Sequence, residues 1–300
     1  MPAPAALGKI RRMPHRPLRS LNAPAVAAVS GSFPLDIELS LRRIEHTVLD
    51  ARARGAELIV LPEAALGGYP CDGTEPYARP AVLPRHAEAF ERLIRAAGPA
   101  VVCVGYAEAA PGGPFSSAIC VSGDGILGHH RKVHLPPTER STFRPGDGFA
   151  AFDTPLGRTG MLICYDKVFP EAARELALDG AEIIASLAAW PVCRLRPAPV
   201  VRHDPQVRQF NALDVARAVE NQVVWVSANH HGSLGRLRFP GQAKVVDPHG
   251  RVLAATGARA GLALAAVDSR AVVRSAREGL FHLGDRVAGA YGVISGACLA

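Results

Sequence analysis

Apolar and polar residues follow two rhythms along most of this chain. Residues 23–31 (APAVAAVSG) are an apolar run of strand length. Residues 37–55 (IELSLRRIEHTVLDARARG) then space Ile37, Leu41, Ile44, Val48 and Leu49 at helical intervals until Gly55 closes the segment. A second apolar strand follows in AELIVLPE, residues 56–63. Strand, helix and strand of these lengths make a βαβ unit, which predicts α/β architecture. The alternation continues with a helix over 86–98, a strand over 100–109, and two strands flanking Ser122-Gly123-Asp124-Gly125, a hairpin signal that makes the sheet mixed. TGMLICYD (159–166) and AEIIASLAAW (181–190) read as buried strands. The segment between them, PEAARELALDG, is a helix with Pro170 at its start and Gly180 at its end. After a Pro- and Arg-rich loop at 191–206, residues 207–222 are a helix and 223–232 a strand. A hairpin through Pro248-His249-Gly250 and a last strand, LALAAVD, complete the pattern. No composition break interrupts residues 24–270, so one domain is expected there, with a basic Pro-rich tail at 1–23 and an extension at 271–300.

Composition narrows the function classes. With 48% hydrophobic and 20% charged residues the chain can bury a sizeable core, and no apolar run reaches the length of a membrane helix. The net charge of +7 comes mostly from Lys9, Arg11, Arg12, Arg16 and Arg19, all of which precede the first acid, Asp36. The remaining body is near neutral, which fits a small-molecule enzyme and excludes a nucleic-acid surface. Arg11-Arg12 is followed by no apolar export segment, and Pro14, Pro17 and Pro24 oppose an amphipathic transit helix. The six cysteines, Cys71, Cys103, Cys120, Cys164, Cys193 and Cys298, have neither disulfide-framework nor zinc-ribbon spacing. Cys103 and Cys120 read as small buried thiols. The expectation is a reduced, cytoplasmic protein.

Three motifs carry candidate chemistry. Cys164 ends an apolar strand just before a Pro-initiated helix, at a strand end where ligands of α/β proteins gather. Glu63 ends the strand of AELIVLPE, where a carboxylate is expensive to bury without a partner. Lys132 closes the second hairpin strand in HHRKVHLPPTER, and it is one of only four lysines against thirty arginines. Taken singly, each has an ordinary reading as a core thiol, a loop acid or a chance lysine.

Together, and in this order, the segments LPE at 61–63, RKVHL at 131–135 followed by Glu139, and ICYDKVFPE at 163–171 resemble the nitrilase, or carbon–nitrogen hydrolase, superfamily over roughly residues 24–270. Phe143-Arg144-Pro145-Gly146, the run at 216–221, Ala228-Asn229 and Asp247-Pro248-His249-Gly250 add to the match. Residues 285–291 keep only part of the family's C-terminal Arg-Arg-Pro-x-x-Tyr-like segment. The resemblance implies a four-layer αββα sandwich with mixed sheets and a homo-oligomer. It also implies a catalytic set of Glu63, Lys132 and Cys164, with Glu139 as a fourth member and the Tyr165 backbone N–H as a second oxyanion donor. No metal or cofactor is implied. Tyr165-Asp166 after the cysteine is similar to the amidase and carbamoylase branches rather than to nitrilases, so a small amide or N-carbamoyl substrate is preferred to a nitrile. Acyl transfer from the same thioester and a non-catalytic scaffold of the same fold remain as alternatives.

Several residues bear on specificity. Lys167 stands three residues after Cys164, where similar N-carbamoyl-amino-acid hydrolases carry a basic residue, which implies pairing with a substrate carboxylate; the other reading is a surface lysine at a helix start. Trp190, with Pro191, either walls the pocket or packs in the core. Arg194, Arg196 and Arg202 extend an anion-binding rim or decorate a solvated loop. A different class, a metallohydrolase on His129, His130 and His134 with His230 and His231, needs a helical context that the hairpin pattern does not provide.

Overall fold

The computed structural model describes residues 23–71, 80–85 and 87–291. The basic tail, apart from residue 23, therefore lies outside the described residues, as does Cys298. The chain runs β1 (Ala25–Gly31), α1 (Ile37–Ala53), β2 (Ala56–Val60), β3 (Val82–Leu83), α2 (Glu88–Ala97), β4 (Val101–Glu108), β5 (Phe115–Ser122), β6 (Gly125–Arg131), β7 (Phe152–Thr154) and β8 (Gly157–Ile163). After a 3₁₀ turn, Cys164–Val168, come α3 (Pro170–Leu178), β9 (Ile183–Ala188), α4 (Pro205–Asn221), β10 (Val224–Leu234), β11 (Leu237–Pro240), β12 (Lys244–Val246), β13 (Val252–Ala255), β14 (Gly261–Ala266) and α5 (Ser269–Gly279).

The strands form one mixed sheet whose main path is β6-β5-β4-β2-β1-β10-β9-β8-β7. From β4 to β8 all neighbours on this path are parallel. The two halves of the sheet pack face to face, and period-2 alternation sorts the side chains. Val26, Ala28, Leu58 and Val60 meet Met161, Ile163, Ala185 and Leu187 in a core between the halves. Ala27, Val29, Ile59 and Leu61 face outward onto α1 and α2, while Leu162, Ile184 and Trp225 face α3 and α4. The result is the four-layer αββα arrangement. Burial of both faces explains why these strands are continuous apolar runs rather than alternating ones.

Local chemistry sets the element ends. Asp36 caps α1 by accepting the Leu39 N–H at 2.7 Å, and Leu41, Ile44, Val48 and Ala51 form its buried stripe. Leu49, assigned to that stripe from spacing, is exposed (52%), because it lies one position past Val48 and turns off the face. α5 docks through Val273 and Ala276, and the Gln222 side chain holds its end through Ala276 O and Leu280 O. No helix among the described residues is long and apolar enough to cross a membrane.

Candidate active site

Beyond the C-terminal ends of β2, β8 and β9 the chain turns sharply, and two of the turns use left-handed backbone. Ala64, next to Glu63, has φ +48°, and Cys164, directly after β8, has φ +49°. Such values cost a non-glycine residue about 1–2 kcal/mol and persist only where surrounding structure imposes them. The Glu63 turn lies directly on β4, where a Cβ at Gly105 would come within 2.7 Å of Glu63 Cα. Gly105→Ala is therefore expected to displace Glu63 and lower turnover by at least about tenfold. Steady-state kinetics against melting temperature would separate that displacement from simple loss of fold.

Glu63, Lys132 and Glu139 are completely buried and meet one another. Lys132 Nζ donates to Glu63 Oε1 at 2.7 Å and to both Glu139 oxygens at 2.7 Å. Glu63 also accepts from Ser116 Oγ at 3.2 Å and, through Oε2, from the Ala189 N–H at 3.0 Å, while His230 Nε2 lies 2.7 Å from its carbonyl oxygen. Tyr69 OH donates to Glu139 Oε1 at 2.6 Å. Burial works against the Lys132 charge, but the two carboxylates overcome it and hold its pKa well above the usual lysine value. Burial pushes the Glu139 carboxyl up to about 7, Lys132 opposing and Glu63 adding to the rise. Cys164 is buried beside this trio. Burial and then the Glu63 charge raise its pKa well above the ordinary thiol value, with Lys132 pulling the other way. A thiol in this environment is held in its protonated form and would need a base to act as a nucleophile.

Cys164, Tyr165 and Glu139 open into a cleft of about 260 Å³ that is also lined by Tyr69, Cys71, Val168, Trp190, Pro191 and Leu237. Trp190 is both wall and core. It is 6% exposed, stands edge-on to Phe210 with centroids 5.8 Å apart, and has both its backbone groups tied to the Asn229 amide.

Lys167 requires a correction. It is fully buried, is absent from the lining of the cleft, and binds Asp214 Oδ1 of α4 at 2.8 Å. Asp214 also accepts from Lys244 at 2.6 Å and Trp225 Nε1 at 2.8 Å, and Lys167 Nζ sits 3.2 Å from the Phe210 ring centroid. Burial pulls the Lys167 pKa down to about 8, Asp214 resisting. An ammonium held this way is not presented to the cleft; it pins the turn after β8 to α4.

The histidines divide among separate tasks. His130 Nε2 and His134 Nδ1 flank the buried Asp166 at 3.2 and 3.0 Å, His129 meets Glu108 at 3.0 Å, and His230 faces Glu63. Among the described residues no three or more His, Cys, Asp or Glu side chains are gathered to hold a metal. Asp166 itself accepts from the Ile163 and His134 N–H groups at 3.1 and 2.8 Å, which fixes the turn after β8 against the loop after β6. Tyr69, Ser116 and Asp214 escaped sequence reasoning, because their partners are far away in the chain, and Asp166 was used there only as a branch marker, not as the hub of this turn.

Against this geometry the family model described as Carbon-nitrogen hydrolase matches residues 25–277, and the chain belongs to that family. It is 36% identical over 208 residues to an (R)-stereoselective amidase of Pseudomonas sp, covering 68% of this chain and 70% of that protein. It is 29% identical over 294 residues to an N-carbamoylputrescine amidase of Solanum lycopersicum, covering 90% and 94%. In fold it is similar to a mutant of an amidase from Nesterenkonia sp. AN1 showing covalent addition of the acetamide moiety of fluoroacetamide at the active-site cysteine, with TM-score 0.72, 24% identity, and 90% and 96% of the two chains covered.

Proposed function

We propose that this protein hydrolyses a small carboxamide or N-carbamoyl compound through a Cys164 thioester and releases ammonia. The observation that carries the reading is the buried Glu63–Lys132–Glu139 trio beside a protonated Cys164 at the floor of a cleft. Glu63 takes the thiol proton as sulfur attacks the carbonyl carbon. Lys132 and the Tyr165 backbone N–H hold the oxyanion of the tetrahedral intermediate, each such donor being worth about 2.7–4 kcal/mol. Glu63 returns the proton to the leaving nitrogen, the C–N bond breaks, and ammonia departs. Glu63 then deprotonates a water that cleaves the thioester, restoring the thiol and releasing the acid. Glu139, braced by Tyr69, keeps Lys132 charged and aimed. The cysteine adduct named for the Nesterenkonia amidase supports the nucleophile assignment by likeness of fold.

The same reading takes the enzyme as cytoplasmic and homo-oligomeric. Free thiols at Cys71, Cys103, Cys120, Cys164 and Cys193 fit a reducing compartment.

The test is ammonia release from a panel of simple amides, N-carbamoyl amino acids and nitriles. Turnover of amides or carbamoyl compounds is expected, with nitriles at least about a hundredfold poorer in kcat/KM. Turnover of nitriles alone would overturn the reading. Product that forms only with an added amine acceptor would move the activity to acyl transfer.

A further inference from the structure

The cleft has a floor and a mouth of different chemistry. Cys164 and Glu139 are buried and form the floor, whereas Arg194 and Gln209 are exposed and Gln206 half-buried, so these three form the mouth. Val168, Trp190 and Leu237 supply apolar lining of the same cleft. Glu139 and Arg194 are the charged residues that line the cleft, and Glu139 is already engaged by Lys132 and Tyr69. Arg194 has no ion-pair or hydrogen-bond partner among the described residues.

The loop that carries Arg194 is built rather than loose. Asp204 is fully buried at the N-terminus of α4. Its carboxylate accepts the Cys193 and Gln206 N–H groups at 3.0 Å each and the Ala198 N–H at 3.2 Å. One side chain therefore fixes both the residue before Arg194 and the helical turn that carries Gln206. The Val192 N–H, bonded to Arg238 O at 2.9 Å, ties the same loop to β11 and hence to Leu237. Between residues 191 and 209 the charged side chains are Arg194, Arg196, Arg202, Arg208 and Asp204. The acid is buried and spent on backbone N–H groups, while all four arginines are exposed, so this loop presents positive charge on its side of the mouth.

We propose that Arg194 is a specificity-determining residue that selects amides carrying a carboxylate at the end remote from the scissile bond, with a short apolar body between them. The guanidinium meets the carboxylate at the mouth, Gln206 and Gln209 supply neutral hydrogen bonds, and a terminal ammonium is repelled. This inference rests on the amide reading of the same cleft.

Three amides of matched length test it at low ionic strength: glutaramate (anionic), pentanamide (neutral) and 4-aminobutanamide (cationic). The wild-type enzyme is expected to favour glutaramate over 4-aminobutanamide by at least about tenfold in kcat/KM, the ratio shrinking as salt screens the rim. Arg194→Glu should invert that order. Arg208→Glu, the same charge change off the lining, should preserve it. Equal kcat/KM for the two charged amides, survival of the order in Arg194→Glu, or an equal effect from Arg208→Glu would each overturn the assignment. Calorimetric binding of glutaramate and 4-aminobutanamide to the Cys164→Ala variant supplies an arm independent of turnover, in which the same order is expected and equal affinities count against the proposal. If none of the three amides releases ammonia while nitriles do, the amide reading fails, and the calorimetric order still decides the role of the rim.

Discussion

Replacing Cys164 by alanine is expected to reduce ammonia release by at least about 10⁴-fold, because no other group in the cleft combines a sulfur nucleophile with the Glu63 base and the Lys132 cation. Cys71 lines the same cleft, but its thiol is engaged by Thr142 at 3.8 Å rather than by a carboxylate base, so it is not expected to substitute. The fold should survive, since the substitution removes one sulfur atom at a residue 7% exposed and leaves Asp166 to hold the turn. Circular dichroism and a melting curve check this. Retention of a tenth of wild-type turnover would remove Cys164 from the mechanism. A companion variant reads the backbone. At φ +49° alanine keeps the strain of the left-handed conformation while glycine does not, so Cys164→Gly should melt above Cys164→Ala by the equivalent of about 0.5–1 kcal/mol. Coincident melting curves would mean that the turn stores no strain.

How far the sequence disclosed this site depends on how local each signal is. Glu63 and Cys164 stand at the ends of the apolar strands β2 and β8, but Lys132 follows the polar end of the hairpin strand β6, and it was the resemblance carried by the LPE, RKVHL and ICYDKVFPE segments that assigned three distant residues to one place. The large elements were equally legible: α1 shows a helical period, and most of the longer strands are apolar runs of strand length bounded by turn residues. β3, β7 and β11 have 2, 3 and 4 residues and are too short to show a period at all. The Lys167 assignment failed for a different reason. The reading rested on a resemblance to N-carbamoyl-amino-acid hydrolases with a basic residue three places after the cysteine, and in this chain a buried acid of α4 claims that lysine instead. The burial of Asp214, which claims the lysine, is a long-range fact, as is the hub at Asp204 that orders the mouth. The acids were visible in the sequence, but the depth at which they lie was not.

Lys132→Met is expected to abolish turnover and also to destabilise the fold by about 3–5 kcal/mol near pH 8, because it leaves the Glu63 and Glu139 carboxylates buried against each other with their common cation gone. The pH dependence distinguishes this cause from lost packing. Glu139 already titrates at about 7 in the folded protein against an ordinary 4.5, so the folded state holds a proton that the unfolded chain gives up in this range. A carboxyl whose folded pKa is raised imposes no cost below its unfolded pKa; the cost grows as pH rises towards the folded pKa and is constant above it. Removing Lys132 raises that folded pKa further, which extends the growing cost beyond pH 7. The gap in unfolding free energy between wild type and Lys132→Met should therefore be larger at pH 8 than at pH 6 in urea melts. Adding Glu139→Gln to Lys132→Met removes the like-charge contact and should restore most of the stability without restoring activity. A gap that does not change with pH, or a double variant as unstable as the single one, would mean that Lys132 holds the fold through its hydrocarbon stem rather than as the counter-charge of two buried acids.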